Sequence, residues 1–154
     1  MTREEFQTAA GVYFERLLLA TKDLPSDRLG WPMDNGHESA LTLFENLRVR
    51  AERMVRALEM LFHGNDTHIL LSGEYVVSGD LLRSLANFRI AHTTVMAAAE
   101  RVPLERMSPY GEIPDWLNEH YLTPLEQAVP RIENWANSLR SRGQAGPTGL
   151  PVIQ

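Results

Sequence analysis

Apolar residues recur at three- and four-residue spacings through four stretches of this chain. Nothing else in it narrows the fold as much. A period near 3.6 puts those residues on one helical face, and that face must be buried against another element. The first stretch runs from Arg3 to Lys22, with Phe6, Ala10, Tyr13, Leu17 and Ala20 in one stripe and Thr2 and Glu5 spaced as a capping box. The second runs from Ser39 to His63 through Leu43, Leu47, Ala51, Met54, Leu58 and Leu61, and Gly64 ends it. The third runs from Asp80 to Val102 through Leu81, Leu85, Phe88, His92, Val95 and Ala99, and Pro103 stops it. The fourth begins at Pro114, suited to a first helical position, and reaches Arg140 through Leu117, Tyr121, Ala128, Ile132, Trp135 and Leu139. Thr123-Pro124-Leu125-Glu126 reads as a fresh helix start inside it, and Pro130 removes a further hydrogen bond.

These stretches predict an all-α chain, an up-and-down-type four-helix bundle whose last helix is kinked or split near Pro124 and Pro130. Residues 1–142 form one domain, and residues 143–154, rich in Gly and Pro, form a flexible tail. The connector Leu24–His37 is a loop by composition, yet it carries Leu29 and Trp31, so Trp31 is expected to be partly buried. From Asn65 to Ser78 the period changes. A small hairpin and a long ordered connection whose apolar residues cover a bundle end are both open, and the connection is favoured because an isolated hairpin is marginal.

Composition then removes several function classes. The chain has 154 residues, 44% hydrophobic and 23% charged, enough for one core without a staple. It has no cysteine, which excludes thiolate metal sites and a cysteine nucleophile. Its net charge of −5 argues against nucleic acid as a partner, because phosphate contacts need a basic face. No apolar run is long enough to span a membrane, and the acidic start differs from a signal peptide, so a cytoplasmic location is expected.

Candidate chemistry lies where polar residues interrupt the apolar stripes, since bundles build sites between facing helices. His92 sits mid-stripe on the third helix, either as a hydrogen-bonded core histidine or as a ligand or base. Asn46 and Arg50 are one turn apart on the second helix, with Arg50 inside the apolar arc; a charge there is paired, reaches solvent or meets an anionic ligand. His120 flanks the stripe of the last helix. His37, His63 and His68 have no carboxylate at ligand spacing, and no phosphate loop or nucleophile elbow is present. Glu45, Arg48, Glu52, Arg56 and Glu59 alternate in sign, which predicts a solvated outer face.

Two segments resemble the DinB/YfiT-like superfamily. Pro25-Ser26-Asp27-Arg28-Leu29-Gly30-Trp31-Pro32 followed by Ser39-Ala40-Leu41-Thr42-Leu43-Phe44-Glu45-Asn46-Leu47 is similar to that family's first loop and second-helix start. His120-Tyr121-Leu122-Thr123-Pro124, leading to Ile132-Glu133-Asn134-Trp135, is similar to its last helix, written H-Y-x-x-H…I-x-x-W. The resemblance spans residues 3 to 140. It implies a metal-dependent enzyme of the hydrolase or thiol-transferase type, holding nickel or zinc through three histidines. Asn46, seven residues after Ser39, stands at the first histidine position, His120 matches the second, and Pro124 stands at the third. One donor of three cannot hold such a metal tightly, so no metal cofactor is expected.

The expectation is therefore a bundle that keeps the family's pocket, lined by Asn46, Arg50, His92 and His120, and binds a small molecule there, with Arg50 favouring an anionic group. An enzyme with His120 or His92 as base is the alternative, as is a dimeric scaffold. The family's habit of pairing through helices implies a homodimer, with the wide stripe of the second helix supplying exposed Leu or Phe.

Overall fold

A computed structural model describes residues 1–33, 36, 38–77, 80–107 and 111–143. The tail expectation falls on residues 144–154 and the loop histidine His37 on its own position, all outside the described residues. Six α-helical segments follow one another: α1 (Arg3–Thr21), α2 (Ala40–Phe62), α3 (His68–Leu71), α4 (Ser84–Arg101), α5 (Asp115–Leu117) and α6 (Thr123–Ser141). Among the described residues extended pairing is limited to two isolated bridges, Thr2–Glu112 and Pro32–Ser39. The fold is all-α.

The helix ends follow their local chemistry. The Thr2–Glu5 capping box forms in both directions, and Ser39 Oγ accepts from Thr42 N at 3.1 Å at the start of α2. At the end of α2, Gly64 takes φ 74°, and Gly64 N and Asn65 N bond back to Leu61 O and Met60 O. This is the Schellman closure that a left-handed glycine allows. The third helix starts later than the period predicts. Asp80 Oδ1 accepts from Leu82 N, a 3₁₀ turn covers Leu81–Arg83, and the α-helix begins at Ser84.

The last helix is neither split nor freshly capped. Pro114 lies just outside, with extended backbone, and Asp115 is the first helical residue. A π turn, Asn118–Leu122, joins α5 to α6 without interruption, and Leu122 and Thr123 keep right-handed helical dihedrals with no side-chain cap. The wider π turn takes up the irregularity that Pro124 introduces, and the helix continues through Pro130 to Ser141.

The up-and-down expectation does not hold: helix directions do not alternate along the chain. Arg140 Nη2 donates to Ala20 O at 2.7 Å and Arg16 pairs with Glu133, so α1 and α6 run parallel. Leu58 and Phe62 meet Ala98 and Arg101, while Arg48 and Glu52 meet Asn87 and Ile90, so α2 and α4 also run parallel. Arg3 Nη1 donates to Val102 O at 2.7 Å, tying the start of α1 to the end of α4 and setting the two pairs antiparallel. A parallel pair needs its connection to run back along the bundle. The segment between Gly64 and Asp80 does this, as a strap over α2 that contains α3. Over its described residues it is a connection and not a hairpin, but its apolar residues do not cover a bundle end: Ile69 and Val76 are exposed.

The core joins the predicted stripes. Phe6, Leu17, Phe44, Leu47, Met54, Phe88, Leu117, Tyr121 and Ile132 are fully buried. Three further expectations need correction. Trp31 stays 38% exposed, its ring under the Arg28 guanidinium at 3.9 Å, and the connector is pinned instead by Leu29 and Met33. Glu45 is not on a solvated face. It is 1% exposed and ion-paired to Arg48, which also reaches Glu52. Mutual neutralisation lets a Glu–Arg pair turn toward the helix interface, which sign alternation alone does not distinguish from a solvent-facing pair. Finally, the Leu and Phe side chains of α2 are buried or half-buried and offer no broad apolar surface; that surface lies on α4, where Leu82 just before it is 85% exposed and Ile90 is 68% exposed.

Candidate functional site

The polar cluster begins with a missing hydrogen. Pro124 has no N–H to offer the His120 carbonyl four residues earlier. That carbonyl accepts from Arg50 Nη1 at 3.1 Å, bringing α2 against the π turn. Arg50 Nε in turn donates to Asn46 Oδ1 at 2.9 Å, one turn back on the same helix. Three of the four pocket residues read from the sequence, Asn46, Arg50 and His120, therefore meet in one place.

Two residues that the sequence reading passed over complete the cluster. Tyr75, on the strap, lies with its hydroxyl 2.6 Å from His120 Nδ1. The guanidiniums of Arg50 and Arg53 lie over its ring, 4.2 and 3.8 Å from the centroid. Arg53, one turn beyond Arg50, also donates to the carbonyls of Gly73 and Glu74 and so fixes the strap beside the ring. A signal for both existed: Arg53 continues the Arg50 face at i+3, and Tyr75 is the one Phe, Tyr or Trp in the connection.

The electrostatics of the cluster follow from burial and like charge. Burial holds Arg50 below its ordinary value, and the Arg53 charge pushes the same way. Burial raises the Tyr75 phenol against the pull of both arginines, so it stays protonated. His120 is lowered, first by burial and then by Arg50, which keeps its ring neutral at pH 7. A protonated phenol beside a neutral imidazole pairs its hydrogen by donating to Nδ1, and on that ground we assign the ring proton to Nε2. His120 Nε2 and Arg50 Nη2 have no partner among the described residues, and neither is among the buried unsatisfied atoms, so both reach solvent. The atoms that Arg50 and His120 leave to solvent are thus donors, with the Glu119 charge acting on His120 from the same turn.

His92 is not part of this cluster. It is 4% exposed, its Nδ1 is 2.6 Å from the Tyr121 hydroxyl, and its ring stacks on Phe14 with centroids 4.0 Å apart. Burial lowers it to about 4. Tyr121 follows His120 in the chain, so the π turn sends one side chain to the surface and the next into the core. Other grooves lie elsewhere, one of about 230 Å³ between the ends of α2 and α4, beside Phe62, His63 and Arg101.

The three positions singled out by the family resemblance have other roles in this structure. The Asn46 oxygen already accepts from a guanidinium, Pro124 has no donor, and His120 Nδ1 is engaged by Tyr75. No group of three His, Asp or Glu side chains converges among the described residues. No helix among them is long and apolar enough to cross a membrane. Compared with protein-family models, curated proteins and solved structures, the chain matches none.

Proposed function

We propose that the chain is a DinB-like bundle in which the family's metal position has become a binding site for a small anion, held by Arg50, Arg53 and the His120 ring. One observation carries the reading. Two guanidiniums lie over a single phenol ring, and neither is in an ion pair with a carboxylate among the described residues. Like charges brought that close, one of them half-buried, are stabilised by an added negative charge. The remaining donors suit an acceptor-only group such as a carboxylate or phosphate. The reading uses no metal cofactor and no nucleic-acid or membrane partner, and it places the protein in the cytoplasm.

The test is a thermal-shift panel of organic carboxylates and phosphates on the wild type and on Arg50→Met. Stabilisation of the wild type that Arg50→Met abolishes supports the site. A panel with no response, or one unchanged by Arg50→Met, removes it.

The outer face of α4 favours a second partner, another copy of the chain. Leu82 and Ile90 are exposed there, beside a groove of about 510 Å³ that also involves Leu85 and Arg89. Sedimentation of the wild type and of Ile90→Glu tests it, and a wild type that is monomeric at micromolar concentration overturns it.

A further inference from the structure

Tyr75 is placed in the cluster as a ligand would be. Its ring lies under two guanidiniums, its hydroxyl engages the histidine, and it arrives on a segment with few other anchors. No residue from His63 to Val77 is buried. Apart from Leu71, which packs partly against the core, what ties the strap to the bundle is concentrated at Arg53 and Tyr75. Ile69 and Val76 on the same strap are exposed.

A neutral phenol satisfies the shape of this site but not its charge. It offers a π face to both arginines and a hydroxyl to His120, yet it leaves two positive charges uncompensated. We infer that Tyr75 is an internal stand-in for the ligand, and that the ligand is a small aromatic carboxylate with a ring hydroxyl, of the hydroxybenzoate class. The ligand's ring replaces the tyrosine ring under Arg50 and Arg53, its hydroxyl takes the place on His120 Nδ1, and its carboxylate supplies the missing charge. Binding displaces Tyr75 and frees the strap between Gly64 and Val77. The inference rests on the anion-binding reading and adds to it the aromatic ring and the exchange with Tyr75.

The experiment compares 4-hydroxybenzoate, p-cresol and succinate on the wild type, Tyr75→Phe and Tyr75→Ala, by calorimetry, thermal shift and limited proteolysis. Tyr75→Phe keeps the ring under the arginines but loses the hydroxyl's contacts with His120 and Arg53, so it competes less well with the ligand, and 4-hydroxybenzoate should bind it about fivefold more tightly than the wild type. In Tyr75→Ala the vacated site should be filled by p-cresol, which restores part of the lost melting temperature and leaves the wild type unchanged. In the wild type, 4-hydroxybenzoate should speed cleavage within residues 64–77. Equal binding of 4-hydroxybenzoate to wild type and Tyr75→Phe overturns the inference, as does a response to succinate as large as that to 4-hydroxybenzoate. In both cases anion binding itself stands. If no anion shifts any of the three proteins, both readings fall. Should Tyr75→Ala fail to fold, the Tyr75→Phe comparison decides alone.

Discussion

The hydroxyl of Tyr121 lies 2.6 Å from Nδ1 of His92, inside the core and against the face of Phe14. One residue earlier, His120 makes the converse pair with Tyr75 at the surface, also at 2.6 Å. The π turn at Asn118–Leu122 thus carries two histidine–tyrosine pairs in opposite surroundings. Burial decides what each does. The inner pair holds helices together, and the outer one offers hydrogen-bond donors to solvent.

The inner pair makes stability depend on pH. Burial lowers His92 from 6.5 to about 4 in the folded protein, so the unfolded chain binds more protons between those values. The stability from keeping His92 neutral is complete above pH 6.5 and is lost as pH falls toward 4. Between pH 7 and pH 5 the loss is about 2 kcal/mol. Urea unfolding at the two pH values should show that slope in the wild type, and His92→Asn should flatten it. An unchanged slope would mean that another group titrates.

The buried ion pair on α2 should outweigh its exposed continuation. Glu45→Ala removes the buried carboxylate that Arg48 pairs with and leaves it the half-exposed Glu52, which should cost about 1–3 kcal/mol. Glu52 is half exposed, and Glu52→Ala should change stability by no more than about 0.5 kcal/mol. Chemical denaturation of both variants checks the order, and a larger loss for Glu52→Ala would reverse the assignment of the buried partner.

Gly64 should not tolerate a side chain. Its φ of 74° suits glycine, and a Cβ there would lie 1.9 Å from Arg106 Nη1. Gly64→Ala should lower stability by about 1–2 kcal/mol from backbone strain alone. Denaturant midpoints measure it, and a neutral result would show that the end of α2 relaxes into another closure.

The four stripes and their caps were legible because amphipathic period and capping chemistry are local. Phe6, Leu47, Phe88 and Ile132 bury where the spacing puts them. The helix directions were not legible. They depend on whether the strap after Gly64 returns along the bundle, which no local signal in residues 64–80 states. Asn46, Arg50 and His120 were found as polar interruptions of apolar stripes. Tyr75 was missed because its partners are distant in the chain, at Arg50, Arg53 and His120. Glu45 was misplaced because a charge neutralised by Arg48 has the same sequence pattern buried or exposed. Pro124 was read as a helix start, but its consequence is a carbonyl that Arg50 can reach.

The most direct test of the central claim sets anion against metal on one protein. Untagged wild type is titrated calorimetrically with organic carboxylates and phosphates, and in parallel with nickel and zinc. The account predicts saturable binding of at least one anion that weakens as salt rises and disappears in Arg50→Met, with no stoichiometric uptake of either metal. Tight one-to-one nickel or zinc binding that His120→Ala abolishes, with no anion response, would contradict it.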